Sequence, residues 1–204
     1  MESQNTVVLT PTPLTKRLYI LQILKRLDTM IIRESKDSEL HAIMEVNKAA
    51  FNSDMEPKLV SDLLADPSAK PLLSLVAIKD DMIVGHVLFT KCSMDPNADI
   101  SIYILAPVSV LPCHQGKGIG GALIRRGLEI LVTRGVDLVF VLGHPSYYPR
   151  FGFKPATSYG FDAPYPVAEE HQDAWMVQIL NPRVVGYIKG KVICANPLNK
   201  PEYW

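Results

Sequence analysis

Short apolar runs, stretches with apolar residues at helical spacing, and the turn residues between them mark the elements of this chain. The opening residues are polar and carry Pro11 and Pro13, a composition that predicts disorder. Leu14 to Leu27 reads as a short amphipathic helix with Lys16, Arg17, Lys25 and Arg26 at its ends, suited to a membrane surface or a partner. Residues 1–29 are therefore read as an N-terminal extension and residues 30–204 as one domain with strands at its end. Met30 to Arg33 predicts a first strand, and Ser35 to Ser38 a turn and helix cap. Leu40, Ile43, Met44 and Val46 recur at spacings near three and four, which predicts a helix. Phe51 to Pro57 reads as a loop, Leu59 to Leu64 as a second helix, and Pro67 to Pro71 as a break. Ser74 to Lys79 and Met82 to Lys91 flank Asp80-Asp81, the pattern of a hairpin. Ile100 to Leu111 predicts a long strand, broken or bulged at Ala106-Pro107, because proline removes a ladder donor. A glycine-rich loop comes next, then a helix to Thr133, a stop at Arg134-Gly135 and a strand from Val136 to Leu142. Pro145 to Tyr148 starts a short helix, and Trp175 to Leu180 and Val184 to Cys194 read as closing strands. The element order is β-α-α-β-β-β-α-β-α-β, ending in strands.

Composition narrows the function classes. The chain has 204 residues, 48% hydrophobic and 21% charged, enough apolar material for a sizeable core. Lys plus Arg equals Asp plus Glu at 21 each, so the basic excess of a nucleic-acid binder is absent. No apolar run approaches the roughly 20 residues that span a bilayer, so stable membrane insertion is not expected. Cys92, Cys113 and Cys194 are widely separated and show neither zinc spacing nor a disulfide framework. No metal is expected, and this cysteine usage suits a reducing cytoplasm.

Gln115-Gly116-Lys117-Gly118-Ile119-Gly120-Gly121 carries the chemistry. It lies between a predicted strand and a predicted helix, whose first amides have no partner within the helix. Such amides, aligned with the helix dipole, attract phosphate. Lys117, Arg125 and Arg126 add local positive charge. Three phosphate-binding patterns compete. A dinucleotide fingerprint needs an acid near the end of the next strand, and Phe140-Val141-Leu142-Gly143 supplies none. A nucleoside-triphosphate loop needs Ser or Thr after its lysine, and Gly118 follows Lys117. The third pattern, Gln/Arg-x-x-Gly-x-Gly/Ala, is the pyrophosphate loop of acyl-coenzyme A N-acyltransferases, and Gln115 to Gly120 matches each fixed position.

With Tyr148-Pro149-Arg150-Phe151-Gly152-Phe153 about thirty residues downstream, the chain resembles the GNAT superfamily of N-acetyltransferases over roughly residues 31–155. Leu142 to Tyr148 and the ending Gly190 to Trp204 are similar to a prokaryotic subgroup of predicted acetyltransferases. The resemblance implies the GNAT fold: an α/β protein of α+β type, with a mixed, mostly antiparallel sheet splayed at a bulged strand and flanked by helices. It implies an acetyl-CoA co-substrate and transfer of acetyl to a primary amine, a small molecule or a protein, by direct attack in a ternary complex. It assigns Val108, Ser109 and Val110 to the pantetheine arm and Gln115, Gly116, Lys117, Gly118, Ile119, Gly120 and Gly121 to the pyrophosphate. Tyr148 matches the tyrosine near the coenzyme A sulfur. The general base stays open among His144, Asp54, Glu56 and water, because the asparagine and glutamate common before that tyrosine are absent. The alternative is a non-catalytic acyl-CoA-binding or sensing module. The oligomeric state is open, a homodimer included.

Overall fold

The structure, a computed structural model, describes residues 30–204. The readings for the polar start and for the Leu14 to Leu27 helix lie outside the described residues. In chain order the elements are β1 (Ile31–Glu34), α1 (Leu40–Phe51), α2 (Met55–Ala65), β2 (Leu73–Lys79), β3 (Met82–Asp95), β4 (Ile102–Val110) and α3 (Ile119–Thr133). Then come β5 (Leu138–Leu142), β6 (Lys154–Pro155), β7 (Phe161–Asp162), β8 (Trp175–Ile179) and β9 (Gly190–Ile193).

The strands lie in the order β1-β2-β3-β4-β5-β8-β6. The β4–β5 pair is parallel and its neighbours are antiparallel. Asp80 and Asp81 both adopt positive φ (51° and 60°), which gives the β2–β3 hairpin a turn matched to strand twist. The end of β3 pairs with β9, which also pairs with β7. Side chains alternate across the sheet as a period of two requires. Tyr103, Leu105, Val139 and Val141 pack on the α3 side, with Leu123, Ile124, Leu128 and Leu131. Ile102, Ile104, Leu138 and Phe140 face the opposite core, with Leu59 and Leu63 of α2, Trp175 and the C-terminal Leu198.

Three elements differ from the sequence reading. The second helix begins at Met55, inside the expected loop, with the Ser53 hydroxyl accepting from the Met55 N–H at 3.0 Å. Pro57 sits in its first turn, where no backbone donor is lost. The segment after Pro145 forms a 3₁₀ turn, Tyr148–Phe151, ended by Gly152 at φ +88°. Of Val184 to Cys194 only Gly190–Ile193 is a strand: Pro182–Val184 is a 3₁₀ turn and Gly186 adopts φ +84°. Hydropathy alone marks an apolar run there, but proline and glycine break its backbone.

Candidate active site

Strands β4 and β5 separate half-way along their length. They pair from Ile102–Leu138 to Ile104–Phe140 and no further. On its other side β4 shifts register against β3, with Ala106 and Pro107 set against Leu88 alone. This is the bulge expected at Ala106-Pro107; an extra residue bends the strand and re-aims Val108 to Val110. Beyond it β4 stays with β3 while β5 pairs with β8, which opens a cleft.

The ladder decides which groups face that cleft. Leu111 N–H donates to the Val84 carbonyl at 2.9 Å, and Gly85 and His86 lie opposite Val110 and Ser109. Antiparallel pairs alternate between bonded and non-bonded, so Ser109 bonds β3 while the backbone groups of Val108 and Val110 point to the open side. The Val110 carbonyl is occupied by the Gln115 side-chain amide at 3.0 Å, and the Val110 N–H is left facing the cleft. Ser109 itself is buried and directs its hydroxyl to the His86 carbonyl at 3.5 Å, so its side chain is not part of the cleft.

The glycine loop closes one end. Gly116 and Gly118 hold φ +73° and +80°, and a Cβ at either would meet nothing within 4 Å, so the loop's outer face is open. The first backbone bond of α3 runs from Ala122 to the Gly118 carbonyl at 3.0 Å, leaving the preceding amides for a ligand. A cavity of about 430 Å³ lies against Gln115, Gly116 and Gly118 to Gly121, with Arg125, Arg150 and His114 beside them. No acid lines it among the described residues. Lys117 is turned onto the Cys113 carbonyl at 2.8 Å and Arg126 onto Glu129 at 3.2 Å; neither lines this cavity.

A second cavity, about 530 Å³, continues from the first through Val110, Gln115, Gly120 and Tyr147. Tyr148 stands in it, 8% exposed, its ring over Gly143. Burial, and then Tyr147, hold the Tyr148 phenol well above its ordinary pKa, so it stays protonated. Tyr147 places its hydroxyl against Gly120 and its ring under the Arg150 guanidinium, 4.8 Å from the centroid. His144 and Glu56 line the cavity; Asp54 does not, and it is exposed and paired with Lys48 at 2.7 Å. Of the three side chains considered as base, the structure brings two to the cleft. His144 accepts from the Ser146 hydroxyl through Nδ1 at 2.9 Å. The far wall was missed in the sequence reading: Phe51 from α1, and Leu198, Tyr203 and Trp204 from the C-terminal segment. Aromatic residues after the last strand were the available signal.

Residues 31–156 match the family model of the acetyltransferase (GNAT) domain. The chain belongs to the GNAT acetyltransferase family. It is 46% identical over 162 residues to the uncharacterized N-acetyltransferase YjhQ of Escherichia coli, covering 78% of this chain and 89% of that protein. Its fold superposes on the GNAT family N-acetyltransferase YhbS of E. coli, solved in complex with CoA, with a TM-score of 0.76. That likeness covers 84% of this chain and 93% of the other at 28% identity. A GNAT family acetyltransferase from Brucella melitensis, solved with acetyl-CoA, gives 0.68 over 83% and 98% at 31% identity. This GNAT member is thus an acyltransferase with the splayed mixed sheet of its relatives. Among the described residues no group of side chains is placed to hold a metal, and no helix is long and apolar enough to cross a membrane.

Proposed function

We propose that this protein transfers the acetyl group of acetyl-CoA to a primary amine, in the reducing environment of the cytoplasm. One observation carries the reading: an acid-free, arginine-flanked glycine loop opens into a cleft that holds a protonated, buried tyrosine. The amides of Gly116 to Gly121 take the pyrophosphate. The outward backbone groups of Val108 and Val110 pair with the pantetheine arm as they would with a strand. The relatives solved with CoA and acetyl-CoA support this donor.

Those parts set the reaction. The amine lone pair forms a bond to the thioester carbon, and the carbonyl oxygen becomes negative. A backbone N–H of β4 near Val110 stabilises that charge as an oxyanion donor. The C–S bond then breaks with its electron pair going to sulfur. The Tyr148 phenol gives the thiolate its proton and regains one from the amide nitrogen.

Thermal denaturation with ligands tests the donor, since a ligand bound only by the folded state adds about 2.7 kcal/mol at a hundredfold excess over Kd. Acetyl-CoA is expected to raise the melting temperature, and NAD and ATP to leave it unchanged. A shift with a nucleotide and none with acetyl-CoA would reject the reading. An amine-library screen with free-thiol detection tests turnover; binding without thiol release across the library would indicate a sensing module.

A further inference from the structure

The cleft is electrically polarised along its length. Its loop end has Arg125 and Arg150 and no acid. Its far end has one acidic side chain, Glu56, and among the described residues no lysine or arginine lines that cavity. Glu56 belongs to the first turn of α2, where the helix dipole favours negative charge. Its Oε2 is buried without a hydrogen-bond partner. Leaving a buried acceptor unmet is unfavourable, more so for a charged one. A cation entering the cavity removes that penalty, and an anion adds to it. Phe51, Tyr203 and Trp204 line the same cavity, and aromatic rings attract an ammonium and pack against an apolar stem.

Taking acetyl transfer to an amine as its basis, we infer that Glu56 is the acceptor-recognising residue. It receives the acceptor as a primary ammonium on an apolar or aromatic stem with no carboxylate beside it. An ammonium has no lone pair, so one proton passes from nitrogen to Glu56 Oε2. The freed pair attacks the thioester carbon, and Glu56 later returns the proton to solvent. The other titratable groups facing the cavity are His144, Tyr147, Tyr148 and Tyr203. One turn along α2, Lys58 and Asp62 are paired with each other at 2.6 Å. Free small amines and lysine side chains share the ammonium chemistry, and a substrate panel separates them.

The test uses the full chain, after acetyl-CoA binding has been measured. The panel is 2-phenylethylamine, phenylalanine, and a lysine-bearing peptide without acidic residues. The amine or the peptide is expected to be acetylated at least about tenfold more efficiently than phenylalanine, and whichever leads names the source. Glu56→Gln is expected to lower kcat/KM on the leading acceptor on the order of 10²-fold at pH 7. The acetyl-CoA KM should hold, and the loss should shrink as the pH approaches 10, where free amine is abundant. Equal use of phenylalanine by the native protein, or a Glu56→Gln loss that does not change with pH, would overturn the assignment while leaving acetyl transfer standing. Failure to bind acetyl-CoA would remove both.

Discussion

At the residue scale, Tyr148 depends on an absence. A Cβ on Gly143 would lie 2.2 Å from the Tyr148 ring, so only glycine lets the ring occupy the cleft wall. Phe153 meets the same ring edge-on at 5.7 Å between centroids, which fixes its tilt. The phenol is then a proton donor held in place, and its removal should be felt in the reaction more than in binding. Tyr148→Phe keeps the ring and its packing, so kcat should fall by about 10²-fold while acetyl-CoA affinity changes little. Steady-state kinetics paired with acetyl-CoA titration checks this; an unchanged kcat removes the acid role. Since burial raises this phenol, the basic limb of the pH–rate profile should not reflect its ionisation below about pH 10.

At the scale of elements, α3 is pinned to the sheet by another missing side chain. Phe89 of β3 reaches the helix at Gly127, where a Cβ would sit 2.2 Å from the ring. Two effects oppose each other in Gly127→Ala. Helix propensity favours alanine by about 1 kcal/mol. Overpacking a buried ring costs about 1–3 kcal/mol, and Phe89 is fully buried, so the clash should win. Urea denaturation should show a net loss of about 1 kcal/mol; a gain would mean that α3 can lift from β3 without cost. Such close approaches also mark what the sequence could disclose. The apolar runs of β2 to β5, the Asp80-Asp81 turn and the break at Ala106-Pro107 were legible because each is a local rule acting on neighbouring residues. The loop from Gln115 to Gly121 was legible because its glycines are needed by the backbone itself. Glu56 could be named only as one candidate among several, because its distinction is an oxygen without a partner inside a folded cavity. The wall formed by Leu198, Tyr203 and Trp204 was legible only as aromatic residues after the last strand, with nothing to place them at the cleft. Nothing local says that a segment far along the chain from α2 packs beside it.

At the scale of the whole molecule, a buried polar chain ties α1 to the strands that carry the cleft. His86 lies at 0% exposure in β3, opposite Ser109 of β4. Its Nδ1 accepts from the Asn47 amide at 3.3 Å, and its Nε2 meets the Ser74 hydroxyl at 3.0 Å, which in turn meets Ser35 at 2.7 Å. Asn47 also donates to the Ile43 carbonyl at 2.8 Å, so the ring is set as the neutral tautomer with the proton on Nε2. Burial lowers the His86 pKa from 6.5 to about 3. The sign comes from proton counting. Below pH 6.5 the unfolded chain binds a proton at this histidine and the folded protein does not, so acid favours unfolding. The stabilising contribution is complete above pH 6.5 and falls by up to about 1.4 kcal/mol per pH unit until pH nears 3. Glu39, held down to about 2 by Arg33, adds a loss of the same sign below its ordinary 4.5. The window between pH 5 and 6.5 therefore isolates the histidine from that ion pair. Urea midpoints of the native protein should fall across it. His86→Gln should start lower at pH 7, because the packed ring and its bonds are lost, and its midpoint should then decline less steeply over the same range. An equally steep decline in the variant would show that acid reaches the fold elsewhere. The shallower decline would locate the acid sensitivity in the chain that links α1 to the donor-side strands, so that cleft geometry and global stability would weaken together as pH drops.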